Sequence, residues 1–199
     1  MRYRKGREGT GVERAVFLDR DGVINEVHSH RVRYVNHPED LHLLPNAAKA
    51  IRLLGEANYK VFIVTNQGGI GLGYMRLETL LEIHIELLQR LSHAGAYLDD
   101  IAYCPHKPRA GCSCRKPRPG MILDLAAKHQ VDLKHSYTIG DMDTDIKAGR
   151  SAGTRTIRIR SKAERGESHT AYTEKADHEF PSLWKAVQWI LDEEPEILN

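Results

Sequence analysis

The apolar run Ala15-Val16-Phe17-Leu18, which stops directly on Asp19-Arg20-Asp21-Gly22, constrains this chain more than any other stretch. Four apolar residues are too short a run for a helix and suit a strand buried on both faces. Open α/β sheets place their chemistry at the carboxyl ends of such strands. In a regular strand Asp19 and Asp21 would share a face, where paired acids can hold a divalent cation or divide the work of nucleophile and proton donor. Taken alone, Asp-x-Asp-Gly also fits an acidic turn that closes a strand.

Downstream the chain alternates between the two periodicities. Ala47, Ala48, Ile51 and Leu54 predict a helix opened by Pro45, and Tyr59-Lys60-Val61-Phe62-Ile63-Val64 predicts a strand. Leu77, Leu80, Leu81, His84, Leu88 and Leu91 mark a second amphipathic helix with His84 packed on its stripe, and Ile101-Ala102-Tyr103 a short strand. A helix from Pro119-Gly120-Met121 to Lys128, a strand at Ser136-Tyr137-Thr138-Ile139, and a helix through Ile146, Ala148 and Ala152 that stops at Gly153 follow. A strand near a sheet edge over 154–159, a polar loop over 161–170, and a last helix from Pro181 with Leu183, Trp184, Val187 and Ile190 inward complete the pattern. This alternation predicts an α/β fold: a Rossmann-like, mostly parallel sheet with helices on both faces. One domain over 14–192 is expected, with a flexible lead-in at 1–13 and a tail at 193–199. Residues 25–40, carrying His28, His30 and His37, read as a long loop or hairpin beside the mouth of the site.

A net charge of +2 gives no reason to expect a nucleic-acid or membrane partner. No run approaches a membrane span, and Met1-Arg2-Tyr3-Arg4-Lys5-Gly6-Arg7 lacks the apolar stretch of a secretory signal, so a cytoplasmic location is expected.

The three cysteines all fall between Cys104 and Cys114. Cys104-Pro105-His106 and Cys112-Ser113-Cys114 supply a Cys3His set suited to tetrahedral zinc, with no coordination position left open for chemistry. A structural zinc there would fix where Arg115 and Lys116, directly after the last ligand, point. A hard oxygen-only site is expected at Asp19, Asp21 and Asp141, which favours Mg2+. Thr65-Asn66-Gln67-Gly68-Gly69 fits a phosphate cradle at a strand end, or an ordinary glycine turn.

Asp19-Arg20-Asp21-Gly22, Thr65-Asn66-Gln67, Arg115-Lys116-Pro117 and Gly140-Asp141-Met142-Asp143-Thr144-Asp145, in that order, closely resemble the motifs of the haloacid dehalogenase-like phosphohydrolases. The zinc loop narrows the resemblance to the branch containing the heptose bisphosphate and histidinol-phosphate phosphatases. That resemblance implies Asp19 as nucleophile and Mg2+ ligand, and Asp21 as general acid and base with its backbone carbonyl on the metal. It implies Asp141 as a further metal ligand, and Thr65, Asn66 and Lys116 as holders of the phosphoryl oxygens. Asp145 would orient Lys116 or a metal-bound water. The segments between Asp21, Thr65 and Lys116 leave no room for a cap domain, so recognition of a small phosphorylated sugar falls to Val27, His28, Ser29 and His30, to Gln67 and Gly68, and to Arg115. Arg115-Lys116-Pro117-Arg118-Pro119-Gly120-Met121 looks like the heptose enzymes' segment, whereas Met142 stands where those enzymes often carry a lysine.

Overall fold

A computed structural model of the chain describes residues 13–160 and 172–193; the lead-in, the tail and the polar loop over 161–170 fall almost wholly outside the described residues. Within them, β1 (Ala15–Leu18), β2 (Lys60–Asn66), β3 (Asp100–Cys104), β4 (Tyr137–Gly140), β5 (Arg155–Ile159) and β6 (His178–Phe180) form one sheet in the order β3-β2-β1-β4-β5-β6. Every pairing in it is parallel. The helices are α1 (Ala47–Glu56), α2 (Gly68–Gly71, a single turn), α3 (Leu77–His93), α4 (Gly120–His129), α5 (Asp143–Ala152) and α6 (Leu183–Glu193).

Side-chain alternation along the strands builds two cores. Val16 and Leu18 of β1 with Val61 and Ile63 of β2 pack toward α1, α3 and α6, while Ala15, Phe17, Phe62 and Val64 pack toward α4 and α5. Both faces are therefore covered, which is why these strands read as apolar runs rather than alternating ones. The order of strands reverses at the β1/β4 boundary: the chain moves outward through β2 and β3, then returns to β4 and moves out the other way. Such a reversal opens a crevice at the carboxyl ends of the two central strands.

Some expectations change, while those of β5 near the sheet edge and of a loop over 25–40 are met. Helix α1 starts at Ala47, not Pro45, because Asn46 takes a left-handed conformation before it. Strand β5 lies near the edge as expected, with β6, too short and polar to show a strand pattern, pairing outside it through its backbone. Residues 25–40 are a loop closed at its base by backbone bonds from Glu26 to His42 and from Leu44 to Ile24, with one 3-10 turn at Pro38–Asp40. Finally, β1 ends at Leu18, so strand alternation does not govern where Asp19 and Asp21 point.

Candidate active site

The site grows from the carboxyl ends of β1, β2 and β4. The Asp19 amide donates to the Ile139 carbonyl at 2.9 Å, carrying the β1/β4 ladder one residue further and fixing the acid over the crevice. Lys116 Nζ lies 2.9 Å from Asp19 Oδ1 and 2.6 Å from Asp145 Oδ1, and donates to the Val64 carbonyl at 2.7 Å. Asn66 pins the lysine's backbone from both sides, its side-chain amide exchanging two 3.0 Å hydrogen bonds with the Lys116 N–H and carbonyl. The other oxygen of Asp145 accepts the Met142 N–H at 3.0 Å, which caps the first turn of α5. Asp141 packs so closely on Gly22 (φ +79°) that a Cβ there would lie 2.1 Å from its Oδ2.

Carboxylate oxygens of Asp19, Asp141 and Asp145 lie within 4.8 Å of one another, all buried. Burial pushes the Asp19 carboxyl up to about 7, helped by Asp145 and Asp21 and opposed by Lys116. Burial works against the Lys116 charge, but Asp145 and Asp19 raise its pKa above the usual lysine value. Lys116 stands beside Asp19 and Asp145, and with Asp141 these acids form a buried all-oxygen donor set that fits a hard divalent cation.

Asp21 turns away from that group. Its Oδ1 accepts from Arg20 Nε and Nη2 at 3.3 and 3.1 Å and from Asn25 Nδ2 at 3.0 Å; its Oδ2 accepts from Arg20 Nη2 at 2.9 Å and Gln67 Nε2 at 3.1 Å. Burial alone would push this carboxyl up, yet Arg20, Asn25 and Gln67 hold it below the usual carboxylate range. The carboxylate trio is therefore Asp19, Asp141 and Asp145; Asp21, whose backbone carbonyl rather than side chain the resemblance put on the metal, keeps its carboxylate outside it.

Beyond β3 the chain brings Cys104, His106, Cys112 and Cys114 together, with ligand atoms within 4.8 Å of one another. Cys104 Sγ lies 3.7 Å from Cys112 Sγ, 3.3 Å from Cys114 Sγ and 3.5 Å from His106 Nδ1, and Cys114 Sγ lies 3.3 Å from that nitrogen. Tetrahedral bonds of zinc to sulfur and nitrogen set edges of about 3.8 Å and about 3.5 Å, so the four atoms fit one metal ion. Arg118 closes the loop by donating to the Gly111 and Cys112 carbonyls, and Arg115 Nη1 donates to the His106 carbonyl at 3.0 Å.

Both groups border one open cleft of about 1180 Å³. Of the expected site residues, Asp19, Asp21, Val27, His28, Thr65, Asn66, Gln67, Gly68, Arg115, Lys116, Asp141 and Asp145 line it, as does Met142, 54% exposed. Ser29 and His30 do not: the Ser29 hydroxyl donates to Glu26 at 3.1 Å and accepts the Val32 N–H at 3.1 Å, closing a turn behind the wall. Sequence reasoning missed Tyr34, Tyr74, Arg109 and Arg118 on the wall, and the grip of Arg20 and Asn25 on Asp21. Adjacency of Arg20 to the two acids was the signal that could have found the last. Among the described residues no helix is long and apolar enough to cross a membrane.

Residues 113–186 match a family model described as HAD-hydrolase-like. The D-glycero-β-D-manno-heptose-1,7-bisphosphate 7-phosphatase of Rhodopseudomonas palustris is 43% identical over 146 residues, 70% of this chain and 79% of that protein. The D-glycero-D-manno-heptose-1,7-bisphosphate 7-phosphatase of Thermosynechococcus vestitus is 34% identical, covering 88% of this chain and 94% of its own. The crystal structure of the D,D-heptose 1,7-bisphosphate phosphatase of B. bronchiseptica, complexed with magnesium and phosphate, superposes with a TM-score of 0.80 at 32% identity, covering 90% of this chain and 99% of that one.

Proposed function

The chain belongs to the haloacid dehalogenase-like hydrolases, a phosphoric monoester hydrolase related to the heptose bisphosphate 7-phosphatases, and from that membership we propose that it removes the 7-phosphate of D-glycero-D-manno-heptose 1,7-bisphosphate. The observation that carries the reading is the buried Asp19 carboxylate, 2.9 Å from Lys116 and grouped with Asp141 and Asp145 at the mouth of the central strands.

Asp19 attacks phosphorus in line with the sugar oxygen and forms an aspartyl-phosphate. A carboxylate approaching a phosphate dianion is repelled, and Lys116 offsets that charge while the Thr65 hydroxyl and the Asn66 backbone N–H hold the non-transferred oxygens. Asp145 orients Lys116. Asp21 gives its proton to the departing sugar alkoxide, then takes one from the water that attacks the aspartyl-phosphate, releasing phosphate and restoring Asp19. Mg2+, held by the Asp19 and Asp141 carboxylates and the Asp21 backbone carbonyl, would supply positive charge beside the phosphoryl group. Zinc held by Cys104, His106, Cys112 and Cys114 would be structural, setting the direction of Arg115 and Lys116.

Residues 14–192 work as one domain with no cap, and the open cleft has room for a bisphosphorylated sugar. Val27, His28, Gln67 and Gly68 border the sugar, and Arg115, whose planar fork suits a phosphate, grips the second phosphoryl group. The test is phosphate release with Mg2+ from both anomers of the heptose 1,7-bisphosphate, beside histidinol phosphate and a panel of sugar monophosphates. Selective loss of the 7-phosphate is expected. Efficient histidinol phosphate turnover with little heptose activity would overturn the substrate while leaving the catalytic roles in place.

A further inference from the structure

Arg158 is wholly buried in β5, between Ile157 and Ile159, which go into the core. A guanidinium taken out of water is costly unless acceptors surround it, and an apolar side chain would continue the strand without that cost. Register supplies the reason for it: Arg158 pairs with Gly140 of β4, the residue before Asp141. From there Nη1 donates to the Asp141 carbonyl at 3.4 Å, and Nη2 donates to Asp143 Oδ1 at 2.8 Å and to the Glu174 carbonyl at 2.6 Å. The Tyr172 ring covers the guanidinium, its centroid 3.8 Å from Cζ, and Glu179 Oε1 stands 3.7 Å from Nε.

Asp143 completes a clamp. Its Oδ2 accepts the N–H and the hydroxyl of Thr173 at 2.9 and 2.8 Å. The segment that carries Tyr172, Thr173 and Glu174 is itself anchored. Arg150 Nη1 donates to Glu174 Oε2 at 3.1 Å, and Asp177 Oδ2 accepts the N–H and the hydroxyl of Thr156, each at 2.7 Å.

We propose that Arg158 is a positioning residue for the cation site: it locks the turn after β4, so that the Asp141 carboxylate stays grouped with Asp19 and Asp145. It touches no reacting atom. Its bonds go to the Asp141 carbonyl and to Asp143, so the backbone on both sides of Met142 is fixed. Partners that hold a metal ligand in place typically change metal affinity about 10–100-fold when removed.

This inference rests on the reading of Asp141 as a Mg2+ ligand, and titration calorimetry of the folded full-length chain with MgCl2 alone separates the two. Charge and position predict opposite signs. By electrostatics alone, deleting a cation near the site through Arg158→Met would tighten Mg2+ binding; releasing the turn weakens it. The expected result is a Kd for Mg2+ raised about tenfold in Arg158→Met, with binding lost in Asp141→Asn. A merely structural role lowers the melting temperature and leaves the Kd alone. Unchanged or tighter binding in Arg158→Met, with binding still lost in Asp141→Asn, overturns the positioning role and leaves Asp141 its function. Binding absent from the parent, or unmoved by Asp141→Asn, removes the Asp141 reading and the inference with it. Should Arg158→Met fail to fold, Thr173→Val deletes an uncharged, exposed donor to Asp143: a severalfold higher Kd supports the proposal, and an unchanged one overturns it.

Discussion

Lys116 lies between two carboxylates that it holds apart from solvent and from each other. Its replacement by Met leaves Asp19 and Asp145 facing without their shared cation, and removing one partner of a buried pair costs on the order of 3–5 kcal/mol. A markedly lower melting temperature is expected for Lys116→Met, together with a loss of activity of roughly a hundredfold or more; calorimetry and phosphate release check the two. Gly22→Ala should separate site from fold. The added Cβ would lie 2.1 Å from Asp141 Oδ2, so Asp141 must leave the carboxylate group. Circular dichroism is expected to keep its helical signature while activity falls about a hundredfold. At this scale the acids were legible, because a carboxylate pair at a strand end followed by glycine is a local pattern. The cradle around Asp21 was not, since Gln67 reaches it from 46 residues away and its donor is known only once β1 and β2 are side by side.

Helix α5 shows how packing overrides propensity. Gly149 lies mid-helix, where Ala would gain about 1 kcal/mol in propensity, but a Cβ there would come 2.6 Å from Cβ of Thr138 on β4. Overpacking costs about 1–3 kcal/mol, so Gly149→Ala is expected to lower the denaturant midpoint rather than raise it. Asp100, at the start of β3, accepts from Lys128 and His129 in the last turn of α4. Burial alone would raise its carboxyl, yet those donors and the Ile101 N–H keep it below the usual range. A depressed carboxyl contributes stability that is present above the unfolded value of about 3.9 and lost as pH falls through the folded one. Unfolding followed against pH should therefore show Asp100→Asn less stable than the parent at neutral pH, with the difference shrinking below about 3.9. The loop between β3 and α4 yields its own test: Cys112→Ser is expected to lose zinc by metal analysis, to be cut faster by trypsin after Arg109, and to lower activity. Full activity in verified zinc-free protein would contradict the structural role. Spacing made the grouping of those three cysteines and one histidine readable, whereas β6 was not, because three residues held by backbone pairing carry no side-chain periodicity.

Across the whole molecule, the parallel α/β architecture was readable because apolar runs and amphipathic helices alternate along the chain, and both faces of the sheet are buried. The strand order and the cleft walls were harder. Tyr34, Tyr74, Arg109 and Arg118 come from loops that meet only after the sheet is assembled, and none lies in a run with its own period. What the fold achieves is convergence: Asp19 after β1, Thr65 at the end of β2, Asp141 after β4 and Lys116 beyond β3 meet at the reversal of strand order. The most direct measurement is a single-turnover reaction of the protein with Mg2+ and D-glycero-β-D-manno-heptose 1,7-bisphosphate, quenched in acid on the millisecond scale and followed by peptide mass spectrometry. The expected result is a transient phosphoryl group on Asp19 that decays as phosphate appears, with heptose 1-phosphate as product and neither seen with Asp19→Asn. Heptose 1-phosphate formed at full rate with no phosphoryl group on Asp19, or formed equally well by Asp19→Asn, would contradict it.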